Sequence, residues 1–297
     1  HSRNVYSAQY LMNLAGMPYS VATRVTDAIA QANMIVCASP FKQSTLTASE
    51  IQLLKKWIEQ GGVFVAPAIT NTNSHLCDLF GVEFVVYSKE RRTFTWREEY
   101  LNEKELAYFD EPEERTVSLG KARNTTAESI KTYGYQPRTA EAMAYFDSTN
   151  LAAVLRHRIG KGVIYTFGIL WRDVVQRSQL GKNTTATRIT SNGFEPSADI
   201  YAFFLRSLHA KINPISVWKY TIPLGYESVL IPTHDCDSRT AYDEMYWVSE
   251  YEKSLGLSAH YFLTVHYFRD AGYLSDFYNA ETKPKAQRLL VDGHTVG

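Results

Sequence analysis

Residues 226–238 read Tyr226-Glu227-Ser228-Val229-Leu230-Ile231-Pro232-Thr233-His234-Asp235-Cys236-Asp237-Ser238. The apolar run from Val229 to Ile231 predicts a short buried β-strand. Asp235 and Asp237 follow its predicted C-terminal end, which is where α/β folds place catalytic groups. If the strand continued, the two carboxylates would point to the same face, so one could bind a cation while the other accepts a proton. The alternative, that Asp237 or Ser238 only caps the next helix, stays open at this point.

The residues that follow predict a parallel βαβ unit. A helix is expected over residues 242–255, because apolar side chains recur there at helical spacing and Gly256 ends the pattern. Leu257 to Val265 reads as a second strand, and strand, helix and strand of these lengths form a parallel pair. Residues 285–297 predict a helix end followed by the start of a third strand.

Three segments of this region carry a family resemblance. Thr233-His234-Asp235-Cys236-Asp237 resembles the first motif of the polysaccharide deacetylase (NodB homology) family, which reads Thr-Phe-Asp-Asp-Gly or an Asp-x-Asp variant. Ala259 to Thr264 is similar to the family's second strand, Ala-Thr-Phe-Phe-Val. Asp292-Gly293-His294-Thr295-Val296-Gly297 resembles its Gly-His-Glu-Ile-Gly segment. The resemblance covers residues 227–297 and follows the family's order.

The resemblance implies a distorted (β/α) barrel that removes acetyl groups from N-acetylated, sometimes O-acetylated, polysaccharides or oligosaccharides with one divalent metal, commonly Zn²⁺. By residue match, Asp235 is the general base and Asp237 the metal-binding Asp. The family's two histidine ligands follow the Gly matched by Gly297, so they are expected beyond residue 297. His234 and His294 are assigned supporting roles, and for His294 an exposed side chain without a role is the alternative.

Composition excludes several classes of function. The chain has 297 residues with 31 Lys and Arg against 31 Asp and Glu, so no net charge drives it toward nucleic acid or acidic lipid. No apolar run approaches the roughly 18 residues of a membrane-spanning helix. The lack of a signal peptide at the start does not argue against export, since His1 is no natural start. Cys37, Cys77 and Cys236 are too scattered for a disulfide framework or a Cys-x-x-Cys metal site. Because acetylated polysaccharides lie outside the cytoplasm, we expect an exported bacterial protein in the periplasm, at the cell surface or secreted.

Residues 1–212 predict a separate α/β domain. Ala32 to Ala38 is a continuous apolar run, typical of a parallel strand covered on both faces. Thr47-Ala48-Ser49-Glu50 is a capping box for a helix that ends at Gly61-Gly62, and Val63 to Pro67 is the next buried strand. Further predicted elements are a helix at 6–14, an edge strand at 19–25, a helix at 74–80, a strand at 82–87, a hairpin over 150–168 and a helix at 199–209.

This domain resembles the class I glutamine amidotransferase-like domains, which have a flavodoxin-like fold. In those domains a helix of the type Leu-x-x-Glu-x-x-x-Leu-x-x-Trp/Phe-x-x-x-Gly-Gly precedes a Val-x-Val strand. Enzymatic members need a Cys nucleophile in a tight Gly-x-Cys-x-Gly turn. The turn after Val63 to Pro67 reads Ala68-Ile69-Thr70-Asn71-Thr72-Asn73 and has no thiol. Cys37 and Cys77 read as buried structural cysteines. The domain is therefore predicted to lack this activity and to act as a scaffold or glycan-presenting module.

The least readable part of this domain is residues 91–139. Its aromatic side chains could stack on sugar rings, although a role in a small satellite core is the favoured interpretation. They are Phe94, Trp96, Tyr100 and Tyr108. Residues 181–192 read as a polar loop.

Two functions of different class therefore remain. One is a metal-dependent carbohydrate deacetylase in which residues 213–226 link the silent first domain to the N-terminal portion of a deacetylase domain, 227–297. The other is a non-catalytic glycan-binding or assembly module with a degenerate deacetylase part. An open fragment of a barrel would expose a strand edge and apolar residues, so we expect partner surfaces for the second domain. The residues in question are Tyr261, Phe262, Leu263, Tyr267 and Phe268.

Overall fold

The computed structural model describes residues 2–42, 44–119, 130–147, 149–179, 198–215, 217, 222–223, 225–265 and 279–297. The chain divides into two compact units, 1–219 and 220–297. This boundary falls inside the predicted linker, 213–226. Both units are mixed α/β and both contain parallel strands.

The first unit is built on a sheet to which nine strands contribute within the described residues. They are β1 (Met34–Val36), β2 (Val63–Ala66), β3 (Val82–Ser88), β4 (Thr93–Trp96), β5 (Thr116–Ser118), β6 (Thr132–Pro137), β7 (Glu141–Phe146), β8 (Ala152–Ile159) and β9 (Gly162–Phe167). The order is β1-β2-β9-β8-β7-β4-β5, and β6 pairs with β3 and β8. Parallel pairing joins β1, β2 and β9, while the other described pairs are antiparallel. The flavodoxin-like expectation thus matches only three of the described strands, because the expected parallel core continues into an antiparallel extension.

Helices cover both faces of this sheet. They are α1 (Ser2–Leu14), α2 (Val25–Gln31), α3 (Ala48–Glu59), α4 (Ser74–Phe80), α5 (Glu98–Leu101), a 3-10 helix (Lys104–Phe109), α6 (Pro112–Arg115), α7 (Trp171–Gln179) and α8 (Ala198–Ile212). Val65 and Tyr165 belong to the core that includes residues of α1 and α8. Phe64 and Ile164 belong to a second core, with residues of α3 and α4. This division follows the alternation of side chains along each strand.

Local signals place several elements where the sequence predicted them. The Thr47 hydroxyl accepts from the Glu50 N–H at 3.3 Å, and the Glu50 carboxylate accepts from the Thr47 N–H at 2.8 Å, which confirms the capping box of α3. Gly81 ends α4 in the left-handed conformation, with φ 67°. The predicted hairpin is confirmed as the antiparallel pair β8 and β9.

The segment before α2 and the aromatic residues after β3 test further predictions for this unit. The edge strand at 19–25 was wrong, because residues 17–24 form neither helix nor strand and α2 begins at Val25. Phe94 and Trp96 are buried in the core that includes residues of α1 and α8, which confirms the favoured interpretation that they pack in a core. This core is a main core of the unit and not a small satellite. Tyr108 stacks on Phe203 with ring centroids 4.8 Å apart. The predicted loop at 181–192 lies outside the described residues.

The second unit contains a three-stranded parallel sheet and two helices among its described residues. The strands are β10 (Thr233–Cys236), β11 (His260–Leu263) and β12 (Thr295–Val296), in that order, and the helices are α9 (Arg239–Ser254) and α10 (Lys283–Val291). The predicted βαβ unit is therefore confirmed. Its small core joins Cys236 and Tyr261 of the sheet to Tyr242, Met245 and Leu289 of the helices.

The first strand of this unit is displaced from its predicted position. Val229, Leu230 and Ile231 are 47%, 75% and 73% exposed and are not part of a strand. Pairing with β11 begins after Pro232, whose carbonyl accepts from the His260 N–H at 3.0 Å, so the strand starts at Thr233. The apolar run predicted a buried strand. In the structure, the buried residue of β10 is Cys236, and the strand is held by its pairing with β11.

The aromatic residues of β11 differ in exposure. Tyr261 is fully buried, so the expectation that it is exposed was wrong, whereas Phe262 is exposed as expected. Tyr267 and Phe268 lie outside the described residues. Across the part of the chain that the structure describes, no helix combines the length and apolar character needed to span a membrane.

Candidate active site

Asp235 and Asp237 occupy different positions relative to β10. Asp235 is the third residue of the strand, paired opposite Phe262, and is exposed. Asp237 follows the last strand residue and is also exposed. The helix cap is Ser238, whose hydroxyl accepts from the Ala241 N–H at 3.1 Å. The capping role left open by the sequence thus belongs to Ser238, which leaves both carboxylates available to solvent.

Alternation along the strands separates two faces of the small sheet. The buried residues Cys236 and Tyr261 define the face under α9 and α10. The side chains of alternate parity lie on the opposite face, which we call the open face. Its members are Thr233, Asp235, His260, Phe262 and Thr295. Asp235 therefore shares a surface with the Phe262 ring beside it and with the imidazole of His260, which lies at the start of β11.

Cys236 does not take part in this surface. Its side chain is buried in the small core, because an extended strand directs it away from Asp235 and Asp237. Burial, together with the neighbouring carboxylates of Asp235 and Asp237, raises the pKa of the Cys236 thiol to about 11. The thiol is protonated at neutral pH and is not a nucleophile there.

His234 belongs to the helix side of the sheet. Its Nε2 lies 2.7 Å from Oε1 of Glu252, and its ring lies 4.6 Å from that of Tyr261. The second oxygen of Glu252 accepts from the Tyr261 hydroxyl at 2.7 Å. Burial alone would raise the pKa of Glu252, but the hydrogen bonds from His234 and Tyr261 outweigh it and hold this pKa below its usual value. His234 thus holds β10 to α9, and it supports Asp235 only through the backbone.

His294 is a buried structural residue, so the alternative of an exposed histidine was wrong. Its Nδ1 accepts from the Ala259 N–H at 3.1 Å, and its Nε2 donates to the Ser249 carbonyl, also at 3.1 Å. Both ring nitrogens are therefore used in contacts with the backbone. Gly293, with φ 91°, turns the chain after α10 and brings the imidazole to the core side of Tyr261.

The metal implied by the family resemblance is not accommodated by the described residues. No group of three or more His, Cys, Asp or Glu side chains within the described ranges could hold a metal ion. A catalytic zinc is normally held by about three protein ligands. Asp235 and Asp237 supply carboxylate oxygens, while Nε2 of His234 and both ring nitrogens of His294 are engaged by other residues. These residues do not form a metal site by themselves.

The first unit presents no thiol at the turn where an amidotransferase would need one. Ala68 and Ile69, after β2, are fully buried, and the turn continues through Thr70 and Asn71. Cys37 lies one residue beyond β1, and its burial raises the pKa of the thiol to about 11. Cys77 lies within α4, as predicted. Both cysteines are half-buried, so the expectation that they are buried is met only in part.

Sequence reasoning assigned no role to His260, which matches no motif residue of the family, and treated Phe262 only as apolar surface. Both lie in β11 and share the open face with Asp235. Side chains alternate between the two faces of a strand, so residues of β11 that pair with Thr233 and Asp235 share their face. Using this rule requires the register of the two strands, which the sequence did not supply.

Comparisons with known proteins give distant similarities only. No family model and no curated protein matches the chain. Among solved structures, the chain is similar to an exo-β-1,4-mannosidase from Opitutaceae bacterium strain TAV5, at 17% identity and a TM-score of 0.39 over 71% of this chain and 29% of the other. It is similar to a β-galactosidase from Rahnella sp. R3, at 13% identity and 0.38 over 71% and 27%. A cytoplasmic protein from Salmonella typhimurium LT2 matches at 12% identity and 0.36 over 55% and 75%. The chain spans under a third of the length of the two enzymes, and similarities this weak do not establish a common fold.

Proposed function

We propose that the second unit is part of a carbohydrate deacetylase that hydrolyses N-acetyl or O-acetyl groups of an extracytoplasmic polysaccharide, and that the first unit is non-catalytic. The observation that carries the proposal is the position of Asp235, which is exposed on the open face of a parallel sheet near its C-terminal edge. Such edges are the usual place for catalytic groups in α/β proteins. The family resemblance supports the same residue as the base.

Asp235 would act as the general base. Its carboxylate accepts no hydrogen bond from a described residue, so it is available to take a proton from a water that attacks the acetyl carbonyl. Asp237 is proposed as one ligand of the divalent metal, and Zn²⁺ is the ion used in the test below. Because the described residues do not complete a metal site, no step is assigned to the ion.

The incomplete ligand set favours a second candidate, a glycan-binding or assembly module without catalysis. The two functions share a substrate class but differ in whether acetate is released. A module would bind an acetylated chitooligosaccharide and leave it intact.

Acetate release from an N-acetylated chitooligosaccharide, with zinc supplied, tests the proposal. In a protein that also carries the expected histidine ligands, we expect Asp235→Asn to retain bound zinc and lose most activity, and Asp237→Ala to lose the zinc. Glu244→Gln is the matched control, because Glu244 is exposed on α9 and makes no described contact. Equal activity of Asp235→Asn and wild type would remove Asp235 from the reaction. Binding without acetate release by wild type would favour the module.

A further inference from the structure

The first strand of the large sheet, β1, lies at one end of it and pairs with β2 alone among the described strands. The Asn33 carbonyl and the Cys37 N–H bond to the backbone of β2, at 2.9 Å and 2.8 Å. Bonds of a parallel pair recur at every second residue, so the peptide groups of Met34 and Val36 point away from β2. Within the described residues, these groups have no hydrogen-bond partner.

The side chains of β1 are covered less than those of its neighbour. All three residues of β1 are half-buried, whereas all four residues of β2 are buried. The strand is nevertheless apolar throughout, reading Met34-Ile35-Val36. An apolar edge with unpaired peptide groups is the surface that an added strand binds.

A cavity of about 850 Å³ lies along this edge. Its apolar lining comes from both faces of the sheet. Met12 and Met17 belong to the core on the side of α1, while Leu54 and Phe64 belong to the core on the side of α3. Because a strand directs alternate side chains to opposite faces, the cavity has room for the side chains of a strand added to β1.

The segment that follows α8 starts at the same edge. Nδ2 of Asn33, the residue before β1, donates to Oδ1 of Asn213 at 3.1 Å. Ile215 and Val217 line the cavity and are 97% and 89% exposed. Since Asn213 lies at the N-terminal end of β1, a chain that continues from it along the free edge runs parallel to β1.

We propose that the segment beginning at Pro214 binds the free edge of β1 as an added parallel strand. Its backbone bonds to the peptide groups of Met34 and Val36. Ile215 and Val217 are two residues apart, so both side chains enter the cavity from one face of the sheet. Their burial and their branching at Cβ favour this strand.

The covalent connection of this segment to α8 favours it over a separate peptide. The hydrogen bond between Asn33 and Asn213 already holds the start of the segment beside β1. A tethered segment binds at a high effective concentration, which a free partner must exceed to displace it. Pro214 lacks an N–H, and the first residue of an edge strand is a position where proline is found.

Amide hydrogen exchange of the full chain, followed by NMR, tests the proposal. We expect the N–H groups of Met34 and Val36 to exchange at least about 10-fold more slowly in wild type than in a variant carrying Ile215→Asp and Val217→Asp. Charged side chains oppose entry into an apolar cavity. The N–H of Val65, in the middle of β2, should stay as slow as in wild type and show that the variant is folded.

A variant carrying Leu230→Asp and Ile231→Asp is the matched control. These two residues are also apolar and exposed, and they lie in the second unit, so this variant should exchange at β1 as wild type does. Equal exchange of Met34 and Val36 in wild type and in the variant at 215 and 217 would overturn the proposal. Slow exchange that survives that variant and increases with protein concentration would assign the edge to a second copy of the chain, which also overturns it.

Nuclear Overhauser effects between methyl groups give an independent measurement in wild type. We expect contacts from Ile215 and Val217 to Met12 or Met17 if they enter on the side of α1, and to Leu54 if they enter on the side of α3. The absence of contacts to all three would contradict the added strand.

Discussion

Glu252 is the residue on which the acid stability of the second unit depends. Its carboxylate accepts from both His234 and Tyr261, and these hydrogen bonds hold its pKa below 4.5, the ordinary value. A carboxyl group whose pKa is depressed by folding stabilises the folded state above its unfolded pKa, and this contribution is lost as pH falls through the folded value. We therefore expect the unfolding free energy of this unit to fall as pH drops below 4.5.

Chemical denaturation of wild type and Glu252→Gln between neutral pH and pH 3 measures this effect. We expect the variant to be less stable near neutral pH and to show a flatter dependence on acid, because an amide does not titrate there. Glu244→Gln, exposed on the same helix, should keep the wild-type slope. The same acid dependence in wild type and Glu252→Gln would show that another group is responsible.

The start of β9 depends on how closely it approaches α3. A Cβ at Gly162 would lie 2.0 Å from the Ile58 carbonyl oxygen and 2.4 Å from that of Gly62, so backbone would have to move to admit it. The strand must lie there, because the Val163 N–H donates to the Gly62 carbonyl at 3.2 Å and β9 pairs with β2. We expect Gly162→Ala to lower the unfolding free energy of the first unit by about 3 kcal/mol.

Thermal or denaturant unfolding of the first unit tests this prediction. Lys161→Ala is the neighbouring control, since its side chain is exposed in the same turn and its removal should change stability by less than about 0.5 kcal/mol. A loss for Gly162→Ala no larger than that of the control would mean that the approach of β9 to α3 is looser than described.

The two units differ in how much apolar surface they bury. The first has two large cores on the two faces of its sheet. The core of the second is a single small cluster, and many of its large apolar side chains are exposed, among them Tyr226, Leu230, Ile231, Trp247, Tyr251 and Val291. Exposed apolar surface of this extent favours association.

We expect the separate chain 222–297 to self-associate and to bind a hydrophobic dye such as ANS, and chain 1–217 to do neither to the same degree. Analytical ultracentrifugation and dye fluorescence measure both properties. Replacing Leu230, Ile231 and Trp247 by Ser in chain 222–297 should reduce association, because all three are exposed. A monomeric, dye-free wild-type chain 222–297 would contradict the prediction.

The sequence alone determined the features that depend on interactions between residues close in the chain. The capping box at Thr47, the helix end at Gly81 and the hairpin of β8 and β9 could be predicted because a few neighbouring residues set each of them. The parallel βαβ unit of the second unit could be predicted from the same kind of signal, and so could the burial of Cys236.

Only the tertiary structure decided the register of β10 and the roles of the histidines. The apolar run Val229 to Ile231 looked like the strand, yet pairing with β11 begins at Thr233 and fixes which side chains share a face. His294 and His234 were indistinguishable from surface residues in sequence, because the Ala259, Ser249 and Glu252 groups that hold them lie 18 or more positions away. His260 joined Asp235 on the open face for the same reason: a register is a property of paired strands, and no short stretch of one strand contains it.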